Sequence, residues 1–149
     1  MVGQQKTAKG DAILTLTIAL TAIIAYTLPG LSGVLVYDRQ AIMDGEIWRL
    51  LSAPLVHFSG SHLFWDVAVF TAAGLAINAS RCRGFLPVCA FAALTPGVAY
   101  LLWVPSIARY GGLSALATGS VAFFCLYKAM ASRRNRMIWL SIVAATGVK

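Results

Sequence analysis

Negative charge is scarce in this sequence. Five aspartates and glutamates stand against twelve lysines and arginines in 149 residues, and charged residues of both signs make up only 11%. A soluble globular domain is about one quarter charged and about half apolar. The 59% hydrophobic content therefore excludes that class and points to an integral membrane protein. Period-two alternation is missing too. A membrane β-barrel is built from segments of about ten residues that alternate apolar and polar, and no segment here does so. Low-complexity linkers, a soluble domain and clear internal repeats are likewise absent. The cysteines are few and odd in number: Cys82, Cys89 and Cys125 lack metal-type spacing, which argues against a disulfide framework or a metal site and for buried, inert thiols.

What is present is a set of long apolar runs. Residues 12–28, 62–79, 85–104 and 113–130 are near-continuous and close to the roughly 20 residues a spanning helix needs. The expected fold is all-α, a polytopic transmembrane helix bundle of one domain, 1–149, with four full spans. A fifth run, 137–148, would reach only about 18 Å into a hydrocarbon core of about 30 Å. It is read as a partial span of a truncated chain, the other reading being a re-entrant or interfacial segment.

The basic residues are not gathered into one face with interleaved aromatics, which argues against a nucleic-acid partner. They punctuate the spans. Lys6 and Lys9 precede the first, Arg81 and Arg83 separate the second from the third, and Lys128, Arg133, Arg134 and Arg136 separate the fourth from the fifth run. By the positive-inside rule these segments and the N-terminus face the cytoplasm. The expected location is an inner membrane of bacterial type. The first run is too long for a usual signal core and no small-x-small triplet closes it, so it is read as a retained anchor. Asp38, Asp44 and Glu46 then fall in a long first loop on the outer side.

That loop, residues 29–61, opens with turn residues and contains the amphipathic stretch Ile47-Trp48-Arg49-Leu50-Leu51. A tryptophan beside an arginine suits the headgroup layer, so a short interfacial helix ended by Pro54 is expected. Pro96-Gly97 predicts a bend in the third span. Ala115 and Gly119, small and four apart, predict a face that admits a neighbouring helix closely and so brings a side chain toward Ser114.

Two polar clusters stand at the heads of the second and fourth spans, at matched depth in the expected topology. His62 and Asp66 are four apart and share a helical face. Ionisable residues in a span usually face a partner or a water-filled cavity. His57, five residues before His62, projects some 140° away around a helix of about 3.6 residues per turn and need not face the same cavity. Ser114 follows Gly111-Gly112-Leu113 at a helix start, where free backbone N–H groups can stabilise an oxyanion. The bland readings are a serine bonded to its own backbone and a polar packing histidine. Two assignments stay open: a triad with Ser114 as nucleophile, His62 as base and Asp66 orienting the imidazole, or His62 as an oxyanion donor. A small transporter or channel subunit using Asp66 as an ion site is a further class.

The run Gly45-Glu46-Ile47-Trp48-Arg49-Leu50-Leu51, then His57-x-x-x-x-His62-x-x-x-Asp66, then Gly112-Leu113-Ser114-Ala115, resembles the rhomboid family of intramembrane serine proteases. The first loop and the aspartate are similar to its rhombosortase branch. The resemblance covers most of the chain from Gly45 to about Gly119. It implies a six-helix core, Ser114 as the catalytic serine, His62 and Asp66 at the positions of the histidine and asparagine that hold the oxyanion, and Trp48 and Arg49, with His57, as support for the loop and the interface. Ala115 stands where the family usually has glycine, and Asp66 where it has an asparagine donor. The family's general base is a histidine on a sixth helix, so the resemblance implies that this chain lacks the base. It also implies single-span membrane protein substrates cut near the outer face, in the rhombosortase case with C-terminal Gly-Gly sorting tails, and no metal or organic cofactor. A non-catalytic rhomboid-like protein that binds transmembrane segments is the alternative.

Overall fold

The computed structural model describes residues 2–146, with side chains from Gly10 to Thr146. The end of the expected fifth run, 147–148, lies outside the described residues, as do Lys149 and the side chains of Lys6 and Lys9. The elements in order are α1 (Val2–Thr27), α2 (Leu31–Leu35), β1 (Tyr37–Asp38), α3 (Arg39–Met43), α4 (Arg49–Ser52), a 3-10 turn (Ala53–Leu55), α5 (Gly60–Ala79), α6 (Phe85–Trp103), β2 (Arg109–Tyr110), α7 (Ser114–Ala131) and α8 (Arg136–Thr146). The architecture is an all-α polytopic bundle, and four helices are long and apolar enough to cross a membrane: the Gly10–Thr27 part of α1, then α5, α6 and α7. α8, eleven residues long, is too short to do so.

Small residues set how closely the long helices approach. Thr15 on α1 lies so near Gly74 on α5 that a Cβ there would fall within 3.0 Å of three of its side-chain atoms, and Gly60 at the start of α5 sits beside the Tyr26 hydroxyl near the end of α1. These two contacts make α1 and α5 antiparallel. Gly119 on α7 meets Ala92 on α6, where an added Cβ would come within 3.2 Å of the alanine methyl. The expected small face of α7 is therefore real, but it receives α6 and not the helix that carries the polar partners of Ser114. Phe70 and Phe85 stack at 6.3 Å between centroids and join Ile77, Leu113 and Leu116 in the main core. α6 continues as one helix through Pro96, and Gly97 beside it gives Leu50 of α4 a place to rest.

The long first loop is folded. β1 pairs antiparallel with β2, matching Tyr37 to Tyr110 and Asp38 to Arg109, a long-range pairing that the sequence reading did not contain. Asp38 caps α3 by accepting from the Ala41 N–H at 3.2 Å, which together with the Arg109 guanidinium holds its carboxyl below the ordinary range. Arg39 donates to the carbonyls of Tyr100 (3.2 Å) and Leu101 (2.9 Å) near the end of α6. The Tyr100 carbonyl also accepts from the Val104 N–H, whereas Leu101 stands four residues before Pro105, which has no N–H, so the guanidinium satisfies a carbonyl that would otherwise need water.

Arg49 corrects an expectation. It is buried, paired with Glu46 at 2.6 Å, and it donates to the carbonyls of Gly33 and Val36 at 2.9 Å each. It ties α2 and β1 to α4 from inside the protein, while Trp48 beside it is half exposed and free to meet the headgroup layer. The helix predicted over residues 47–51 begins two residues later, and Pro54 starts no new direction until the 3-10 turn ends at Leu55.

Candidate active site at the head of α5 and α7

Ser59 adopts extended backbone and accepts from the His62 N–H at 3.3 Å, so α5 begins at Gly60. This placement puts His57 before the helix, on the segment that leaves the 3-10 turn. The helical projection that turned His57 away from His62 therefore does not apply. Its side chain is wholly buried, its Nε2 lies 3.2 Å from Asp66 Oδ2, and its ring meets that of His62 edge to face at 5.3 Å. All the polar residues singled out in the sequence at the heads of these two spans thus converge on one point.

The glycine pair ahead of α7 makes the convergence possible. Gly112 has φ of +134°, a conformation that side-chain-bearing residues rarely adopt. A Cβ there would sit 2.9 Å from His62 Cε1 and 3.5 Å from Asp66 Oδ2, so the glycine is also the space that the imidazole fills. At Gly111 a Cβ would meet the Val56 carbonyl at 2.7 Å, and the Gly112 N–H donates to the Ala53 carbonyl at 3.3 Å. Backbone thus packs against backbone between the segment that carries His57 and the segment that carries Ser114. The sequence reading valued these glycines for free N–H groups at a helix start; their larger role is room.

Ser114, the first residue of α7, has its hydroxyl 2.9 Å from His62 Nε2 and 3.2 and 3.1 Å from Asp66 Oδ1 and Oδ2. Asp66 Oδ2 is also 3.1 Å from His62 Nε2. Both contacts of His62 use the same nitrogen. In a serine–histidine–aspartate triad the carboxylate bonds to the imidazole nitrogen opposite the serine. Asp66 does not do this, so the triad reading in its usual geometry is corrected. His57 Nε2 is likewise shared, between Asp66 Oδ2 and the Leu113 N–H at 3.2 Å, while its buried Nδ1 has no partner. One ring nitrogen is a donor or an acceptor and not both.

The site is not sealed. The His62 side chain is 40% exposed, against 11% for Asp66. Below Ser114 a cavity of about 620 Å³ opens between α6 and α7, lined by Ala92, Pro96, Tyr110, Ala115, Thr118 and Gly119 among others. Burial pushes the Tyr110 hydroxyl up to about 12, so it lines the cavity as a neutral phenol. Ser120, two turns along α7, is spent on the Leu116 carbonyl at 2.6 Å. The three cysteines are free and buried, away from this cluster, and burial raises the Cys82 thiol above its ordinary value. Among the described residues no group of histidine, cysteine and acidic side chains is arranged to hold a metal ion. Comparisons with protein families, with curated proteins and with solved structures find no match for this chain.

Proposed function

We propose that this is an intramembrane serine hydrolase of rhomboid type, which cleaves the peptide bond of a membrane-anchored substrate near the outer face. The observation that carries the reading is the serine hydroxyl held 2.9 Å from an imidazole and about as close to a carboxylate, at the heads of two helices able to cross a membrane. A serine used only as a small packing residue bonds to its own helix, as Ser120 does. Ser114 is the nucleophile. Its N–H, on the first turn of α7, has no intrahelical acceptor and is a donor for the tetrahedral oxyanion. The cavity between α6 and α7 supplies an apolar approach to Ser114 from the lipid side. The expected orientation, with the N-terminus cytoplasmic, sets this end outward, toward single-span substrates; Gly-Gly-tailed ones are the first to try.

The test is labelling by a fluorophosphonate probe in native membranes. The probe is expected to modify the protein, and the signal to vanish in Ser114→Ala. Equal signal from the two proteins would sink the enzyme reading.

One feature favours a second reading, a non-catalytic rhomboid-like protein that binds transmembrane segments. The Asp66 carboxyl stands 3.1 Å from the Ser114 hydroxyl and accepts from it, where an oxyanion site wants donors. That reading predicts retention of a bound single-span partner in Ser114→Ala and no labelling of the unaltered chain.

A further inference from the structure

We propose that the end of the bundle away from Ser114 holds the headgroup of a zwitterionic aminophospholipid, phosphatidylethanolamine, in a cavity between the head of the spanning part of α1 and the head of α6. The site is separate from the Ser114 cluster and does not depend on how that cluster is read.

The space between α1 and α6 is filled differently along its length. Toward the Ser114 end the 3-10 turn touches both helices, and Leu50 of α4 rests on Gly97 of α6. At the other end a cavity of about 420 Å³ stays open. Its walls are Asp11 and Leu14 of α1, Arg83 just before α6, and Phe85, Leu86 and Pro87 of α6, among others. The volume is that of an ordinary small-molecule pocket.

The helices themselves set the depth of this cavity. The apolar windows of α1 and α6 begin at Gly10 and Phe85, and both starting points lie on its rim. It therefore sits where hydrocarbon gives way to headgroups. Leu14, one turn deeper along α1, and Leu86 and Pro87 present apolar surface to the glycerol and the first acyl carbons.

Charge selects the headgroup. The chain has five acidic residues, and four of them, Asp38, Asp44, Glu46 and Asp66, belong to the Ser114 end. Asp11 is the exception, placed among the arginines. An ionisable residue at the head of a span faces a partner or water, since lipid tails do not tolerate it. Asp11 and Arg83 both line the cavity, yet among the described residues no ion pair joins them. A wall with cations alone would suit any anionic lipid. A wall that keeps one cation and one anion apart suits a ligand carrying a phosphate and an ammonium on a short linker. Arg83 takes the phosphate. Gly84 has no side chain to cap α6, so the N–H groups of its first turn are further donors on that side. Asp11 takes the ammonium, whose N–H groups donate to a carboxylate; a trimethylammonium has none to give, and a glycerol headgroup has no charge. The bound headgroup thus bridges α1 to α6 at the end that the 3-10 turn does not reach.

The experiment is native mass spectrometry of the full-length protein in detergent, titrated with phosphatidylethanolamine, phosphatidylglycerol and phosphatidylcholine of the same acyl chains. The unaltered protein is expected to hold phosphatidylethanolamine about ten-fold more tightly than either of the others, the worth of one charge-assisted hydrogen bond. Asp11→Asn is expected to erase the preference, and Arg83→Ala to weaken phosphatidylethanolamine by about ten-fold. Arg134→Ala, exposed at the same end but away from the cavity walls, is expected to leave binding unchanged. Equal binding of the three lipids overturns the proposal, and so does a preference that survives Asp11→Asn. A loss in Arg134→Ala as deep as in Arg83→Ala overturns it in favour of a general attraction of the basic end for phosphate. Soluble phosphoethanolamine that competes as well as the lipid does overturns the lipid as occupant. The two arginine arms stand even if Asp11→Asn does not fold.

Discussion

At the end of the bundle that holds Ser114, two arginines are turned inward, while Arg109 reaches Asp38 from an exposed position. Arg39 and Arg49 between them satisfy four backbone carbonyls and one carboxylate. At the opposite end, where α5 leads into α6 and α7 into α8, Arg81, Arg83, Arg133, Arg134 and Arg136 are exposed. Lys128 there lies over the Phe124 ring at 5.3 Å, and Arg136 reaches a single carbonyl, that of Ala129. The residue type is the same, but the work differs. Charges at the first end are consumed in building an irregular, buried backbone, which apolar surroundings tolerate only when its polar groups are paired. Charges at the second end remain available to water and lipid headgroups. Local sequence marks the difference: acidic residues accompany the inward arginines, whereas none lies in the segments 80–84 and 132–136.

The comparison can be broken at its strongest point by Gly112→Ala. The new methyl would strike the His62 ring at a residue of positive φ, so Ser114 labelling is expected to fall by about 100-fold or more, since misplacement of about 1 Å at a reacting group costs that much. Retained labelling would mean that the glycine pair is not what holds the site open. Next in size is Arg49→Ala. It leaves the Gly33 and Val36 carbonyls without their donor, and thermal unfolding in detergent is expected to show a loss of about 1–3 kcal/mol, the cost of an unsatisfied buried polar group, to which the half-exposed Glu46 adds little. Asp38→Ala removes a helix cap and should cost about 1 kcal/mol.

Acid offers a finer probe of the same residue. The Asp38 carboxyl is held below its ordinary value in the folded protein. Its contribution is therefore complete above the unfolded value of about 3.9 and is lost as the pH falls through the folded one. Below about pH 4 the unaltered protein is expected to lose melting temperature more steeply than Asp38→Asn. The smallest effect belongs to the other end: Arg134→Ala should change stability by no more than about 0.5 kcal/mol, as exposed positions do. A loss there as large as that of Arg49→Ala would erase the contrast between the two ends.

The four long helices were readable because burial in lipid needs a run of apolar residues, and such runs are local; their ends at Ala79, Phe85 and Ser114 fall within a residue or so of the composition breaks. His62, Asp66 and Ser114 were readable as a group because polar residues stand out against those runs. Three features were not. The β1–β2 pairing joins residues more than seventy apart and has only two residues per strand, too few to show a period. His57 escapes helical projection because the helix starts only at Gly60, a start that Ser59, a cap-forming residue, marks. The inward turn of Arg49 depended on where carbonyls of residues 33 and 36 would lie, which no local pattern encodes. The sharing of single ring nitrogens at the site is of the same kind, being a matter of distances among three segments.

The position of Asp66 also bears on how the chain enters a membrane. An aspartate costs an inserting helix about 2.5–3.5 kcal/mol at its centre and less toward the head, where Asp66 lies, and α5 is synthesised before α7 exists. Two of the three side chains that attend the carboxylate, His57 and His62, belong to α5 and the few residues before it. The acidic span thus carries its own escorts from the ribosome onward, and the serine arrives last, at a carboxylate that already has company.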